Sequence, residues 1–258
     1  VGSFGGMKAE GVDLLGTAVG HMKEKDFMGM DREWIQRETE NFHVFYREAD
    51  RDFAGALIER IEAFYQDICR RAYLEPEEDG YDLYVCGTVE EFLHGTGYAK
   101  EYYQDWMVGN ADSVRRRLCI LAPRGKGDLS QEYQEYLIKV MLHEVTHIVF
   151  NRICPGNRCG LWLSEGTAVC LAGQLDPEHT SDREYPRLAD LAGETDPVAF
   201  ADKGGYTYGG IYVRYLMELL GMERFLSVYR GECHLEELLE NSFESRAIAF
   251  CKELQVRG

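Results

Sequence analysis

His143-Glu144-Val145-Thr146-His147 lies inside a long stretch of helical periodicity, Asp128 to Asn151, with Asp128 or Ser130 as the N-cap and Pro155 beyond the end. Two histidines four residues apart on a helix project from one face about one turn apart, so both imidazoles can reach a single metal ion. Glu144 falls beside them. It is too close in sequence to be a comfortable third ligand, but its carboxylate can take a proton from a metal-bound water. The third ligand is expected from Glu165, 18 positions beyond His147, within Leu161-Trp162-Leu163-Ser164-Glu165-Gly166-Thr167-Ala168. A carboxylate flanked by Trp162, Leu163, Ala168 and Val169 is costly to bury unless it is paired or coordinated. The competing reading is an exposed Glu in a first helical turn, where the helix dipole favours it. The two upstream histidines weigh for ligation. Three protein ligands plus a water is the open arrangement of a catalytic zinc, and zinc brings the pKa of that water to about 7. The expectation is one Zn2+ per chain on His143, His147 and Glu165, with Glu144 as the catalytic base.

Outward from this helix the two halves of the chain differ. On the N-terminal side, Asn41 to Tyr46 and Tyr81 to Cys86 read as strands, with a helix between them carrying Phe53, Ala56, Leu57, Ile61, Phe64, Tyr65 and Ile68 at helical spacing. A short helix is expected near Val89 to Leu93, and strands near Trp106 to Gly109 and Arg117 to Leu121. On the C-terminal side, helices are expected near Ser164 to Ala172, Tyr208 to Leu220, Glu223 to Arg230 and Leu235 to Leu254. Residues 1–30 read as a leader with one short helix, and 31–258 as a single domain made of an α/β half, 31–125, and a helical half, 126–258. The fold class is α+β.

The 258 residues are 45% hydrophobic, enough for a packed core without staples, and no linker, repeat or low-complexity tract divides them. A net charge of −17 argues against nucleic acid, whose non-specific binding is driven by clustered Lys and Arg. The one basic run, Arg115-Arg116-Arg117, reads as a solvated strand edge ahead of an anion site. No apolar stretch approaches the length of a transmembrane helix, and no signal-peptide pattern opens the chain. Eight cysteines, mostly inside apolar runs, suit free thiols in a reducing, cytoplasmic compartment. Cys154 and Cys159, in a loop, are close enough in sequence to be bridged, but free thiols are favoured.

His143-Glu144-x-x-His147 followed by Trp162-Leu163-Ser164-Glu165-Gly166-Thr167-Ala168 resembles the peptidase MA-like branch of the gluzincin zinc metallopeptidases. The likeness extends to Thr39 to Tyr46, similar to that group's opening strand, and to Tyr206-Thr207-Tyr208-Gly209-Gly210 with Tyr212 to Leu216, similar to a later helix. It spans roughly residues 39–230 and is strongest in the metal segment. The resemblance implies a small twisted mixed sheet whose edge strand lies over a cleft, the metal helix beneath it and a helical C-terminal part closing the other side. A peptide or protein substrate would pair its backbone with that edge, supplied by Trp106 to Asn110 or by Arg117 to Leu121. In aminopeptidase N relatives a Tyr opening a helix donates its phenol hydrogen to the oxyanion. Tyr206 matches its spacing, with Tyr208 in reserve. Those aminopeptidases also hold the substrate amine with a Glu in a Gly-x-Met-Glu-Asn segment. Here Val108-Gly109-Asn110-Ala111-Asp112 occupies the comparable place without that Glu, which favours endopeptidase over aminopeptidase activity, unless Asp112 substitutes.

Two other functions compete. A zinc amidohydrolase of the deformylase type would take its third ligand from a cysteine, with Cys159 and Cys170 nearest. A degenerate peptidase fold would keep the site and act only as a binding module. His21, His43, His94, His179 and His234 stand alone and are assigned no role.

Overall fold

The computed structural model describes residues 34–181, 183–233 and 242–257. The leader expected over 1–30, and the beginning of the last expected helix, lie outside the described residues. The fold is α+β, with a five-stranded mixed sheet and a largely helical C-terminal part. The strands are β1 (Ile35–Glu38), β2 (Phe42–Tyr46), β3 (Tyr81–Cys86), β4 (Gly109–Asp112) and β5 (Arg117–Leu121), in spatial order β1-β2-β3-β5-β4. β2, β3 and β5 run parallel, and the two edge strands are antiparallel to their neighbours.

A parallel pair needs a crossover between its strands, and α1 (Arg51–Arg71) supplies it between β2 and β3. Its apolar stripe buries Phe53, Leu57, Ile61, Tyr65 and Ile68, while its last turn carries Arg70 and Arg71 at the negative end of the helix dipole. β3, interior to the sheet, is buried at every position but Asp82, as expected of a strand covered on both faces. α2 (Val89–Thr96) follows, capped by the Thr88 side chain accepting from the Glu91 N–H. α3 (Pro123–Lys126) is a single turn.

The long helix α4 (Gln131–Ile153) packs on α1, on β4 and on α5 (Leu161–Leu171). Ser130 caps it, its side chain accepting from the Tyr133 N–H. Two short helices, α6 (Leu188–Ala192) and α7 (Pro197–Asp202), lead into α8 (Gly205–Tyr229), which packs on α5 and on α9 (Phe243–Arg257). α8 is broken at Gly221, at φ 70° and ψ 163°, between the two helices expected there. No helix among the described residues is long and apolar enough to cross a membrane.

The strand expected at Trp106 to Gly109 is displaced to Gly109–Asp112. The Met107 N–H closes a turn onto the Gln104 carbonyl, and Trp106 stays 58% exposed, so the chain is not extended before Val108. Pairing begins where the Leu121 N–H bonds the Val108 carbonyl, and it ends at a turn in which the Arg115 N–H bonds the Asp112 carboxylate. β1, α3, α6 and α7 lie outside the elements expected from the sequence. They are short, and β1 faces outward at three of its four positions, which hides its periodicity.

Candidate metal centre

α4 turns His143 and His147 to one side, and α5 presents Glu165 opposite them. The His143 Nε2 and His147 Nε2 atoms lie 3.0 Å apart. The Glu165 carboxylate is 3.2 Å from the first and 3.5 Å from the second. All three side chains are largely buried, and the group is one that could hold a metal ion.

Chemistry and spacing both fit an ion. Two imidazole lone pairs and a carboxylate pointed at one spot repel unless a cation sits among them. With ligand bonds of about 2.0–2.2 Å, the edge of a tetrahedron is roughly 3.3–3.6 Å, close to the three separations. Burial disfavours charge on His147, but the neighbouring Glu165 carboxylate reverses this and lifts its pKa to about 9. Burial likewise works against ionised Glu165, and His147 and His143 overcome it, holding this carboxyl far below the usual carboxylate range.

The outer nitrogens of the two imidazoles also have partners. His143 Nδ1 is 2.9 Å from the Gln174 Oε1 atom, and His147 Nδ1 is 3.4 Å from the Ser164 hydroxyl. Glu144 lies on the face of α4 toward the sheet. A methyl group on Gly109 would fall 2.5 Å from Val140 and 3.4 Å from the Glu144 Cγ atom, so helix and strand are in close contact there. The β4 backbone at Ala111 lies on the same side and favours the charged form of the Glu144 carboxylate. Burial raises the pKa of Glu144, and the two histidines partly offset the rise.

Of the two strands expected to supply a free edge beside the site, β5 is interior and β4 is the edge. Asn110 on β4 donates its side-chain N–H to the Tyr98 hydroxyl at 2.8 Å. Asp112 is engaged by Arg115, through its N–H at 2.9 Å and its guanidinium at 3.6 Å.

Tyr206 opens α8 and packs its ring against Phe200 at 5.3 Å. Burial raises the pKa of its phenol, and the nearby Glu165 and Glu144 carboxylates raise it further, which puts Tyr206 on the side of the site. Tyr208 turns away, its hydroxyl accepting from the Ser181 N–H at 3.1 Å and lying 3.4 Å from the Glu184 carbonyl.

The other residues singled out in the sequence stand apart. Among the described residues neither Cys159 nor Cys170 joins the group, and Cys154 and Cys159 are free thiols. Arg115, Arg116 and Arg117 are engaged structurally: with Asp112, with Glu77 and the Gly80 carbonyl, and over the Tyr84 ring, respectively. Gln174 and Tyr98, which reach His143 and Asn110, carry no signal in the sequence. A Gly173 just past a helix end marked a turn, but nothing in the sequence showed where the next side chain would reach.

No family model matches the chain, and no curated protein does. Among solved structures, native leukotriene A4 hydrolase from Saccharomyces cerevisiae is similar with a TM-score of 0.42 and 17% identity. The likeness covers 77% of this chain, which spans about a third, 32%, of that one. So distant a likeness leaves the reading of the site to its own geometry.

Proposed function

We propose that this chain is a zinc-dependent peptidase of the gluzincin type, with His143, His147 and Glu165 as ligands and Glu144 as the general base. The observation that carries the reading is the convergence of three ligand atoms from α4 and α5, with a second carboxylate, that of Glu144, one residue beyond His143 on α4 and next to the edge strand β4. A zinc ion held there supplies a water acidic enough to act near neutral pH.

The chain's own groups do the rest. The β4 edge pairs with an extended substrate backbone and brings the scissile carbonyl to the group formed by His143, His147 and Glu165. Glu144 takes a proton from the attacking water as its oxygen bonds to the carbonyl carbon, and returns it to the amine as the C–N bond breaks. Tyr206 donates its phenol hydrogen to the carbonyl oxygen as negative charge gathers there.

Cleavage within chains is favoured over removal of N-terminal residues. The region comparable to the aminopeptidase amine anchor has no Glu, and its only carboxylate, on Asp112, is engaged by Arg115.

Metal analysis combined with hydrolysis of an unfolded protein and of N-terminally blocked peptides tests the reading. One zinc per chain, lost in His143→Ala, with cleavage of blocked peptides, is expected. Protein that neither carries zinc nor takes it up on addition would remove the proposal, and strict dependence on a free N-terminal amine would remove its endopeptidase part.

A further inference from the structure

The helix that brings Glu165 to the site ends in a turn that fixes Gln174. Beyond Leu171 the chain enters the left-handed region at Gly173, φ 69°, a conformation that favours glycine. The Gln174 N–H bonds the Val169 carbonyl at 3.0 Å and the Gly173 N–H bonds that of Cys170 at 3.4 Å, which closes the carboxyl end of α5. The next residue, Leu175, packs on α8, where a methyl group on Gly210 would lie 2.9 Å from its Cδ2 atom. Gln174 is thus anchored on both sides, and its half-buried side chain returns across to α4, where Oε1 meets His143 Nδ1 at 2.9 Å.

An amide oxygen only accepts, so the proton of neutral His143 must sit on Nδ1. That leaves the lone pair on Nε2, the atom that faces His147 Nε2 at 3.0 Å and Glu165 at 3.2 Å. The partner of His147 does not decide in the same way, because the Ser164 hydroxyl at 3.4 Å can donate or accept. We infer that Gln174 is a positioning residue: it fixes the ring orientation and the tautomer in which His143 can bind a metal ion. It does so without adding a negative charge to a site that already holds two carboxylates. This rests on the metal-binding reading above.

Zinc affinity, measured by competition with a chromogenic chelator, tests the assignment in Gln174→Leu, Gln174→Ala and Gln174→Glu. Loss of an outer hydrogen-bond partner typically costs about 10- to 100-fold in metal affinity, and a loss of that size is expected in the Leu and Ala variants. Gln174→Glu, which keeps an acceptor, should bind within a few-fold of the parent or more tightly. The melting temperature of the metal-free protein should be nearly the same in all of them. The visible spectrum of the cobalt-loaded Leu or Ala variant should differ from the parent's. Parent-like affinity in a folded Leu or Ala variant would overturn the role of Gln174 alone, as would a folded Glu variant that binds as weakly as they do. A parent that takes up no zinc would instead overturn the metal reading beneath it.

Discussion

Gly166 on α5 and Gly209 on α8 meet backbone to backbone: a methyl group on Gly166 would lie 2.5 Å from the Gly209 carbonyl oxygen. This contact sets Glu165, one residue earlier on α5, near Tyr206 at the start of α8. The atom in the way is main chain, so no side chain can swing aside, and Gly166→Ala must push the helices apart. Overpacking of this kind costs about 1–3 kcal/mol. Urea or thermal unfolding should show the loss, and a variant as stable as the parent would mean that the helices are not held at this distance.

Glu144→Gln should keep the fold and the zinc while lowering turnover on the order of a hundredfold or more, because an amide cannot take the proton from water. Zinc content and turnover on one blocked peptide are enough to check it. Turnover near that of the parent would take Glu144 out of the mechanism.

Tyr206→Phe should lower turnover by about 10²–10³ at unchanged zinc content, the usual cost of one oxyanion donor. Tyr208→Phe is the internal comparison, since its hydroxyl contacts the chain at Ser181 and Glu184. It should leave turnover close to the parent's. If the Tyr208 variant is the slow one, the assignment is reversed.

Three thiols give an alkaline limit to stability. Burial pushes Cys159 and Cys170 from 9.0 up to about 12 and Cys251 up to about 11. Above about pH 9 the unfolded chain releases these protons while the folded chain keeps them. The unfolded state then binds fewer protons, so stability falls as pH rises. The contribution is complete below pH 9.0 and fades through about 11 to 12. Unfolding midpoints at pH 8, 9 and 10 should decline in order. Alkylation of the buried Cys251 at pH 8 should be slow in folded protein and fast in urea. Rapid labelling of Cys251 in folded protein would contradict its burial.

Local signals carried most of what the sequence disclosed. Helix α4 was legible because its cap, its apolar period and the following proline agree, and β3 because its apolar run is bounded by turn residues. The three ligand candidates could be named because their spacing is a property of one helix and the next. What depends on distant packing was hidden. β4 starts three residues beyond the strand expected there because Trp106, a strand-forming residue, is taken by a turn and solvent. The choice between the two candidate edge strands depended on sheet order, which no local pattern carries. Tyr206 and Tyr208 are two residues apart and differ only in which way α8 turns them. Gln174 was invisible because its partner lies on another helix.

The convergence of two imidazoles and a carboxylate from α4 and α5 has a consequence for handling the protein. An ion bound at that spot joins two helices, and it binds the folded chain far better than the unfolded one. By mass action it then stabilises the fold by about 2.7 kcal/mol once free metal exceeds the dissociation constant a hundredfold. For a chain of this size that corresponds to several degrees in melting temperature. Buffers that chelate divalent cations, or nickel-affinity columns that strip and replace them, would therefore change the apparent robustness of the protein without altering a residue.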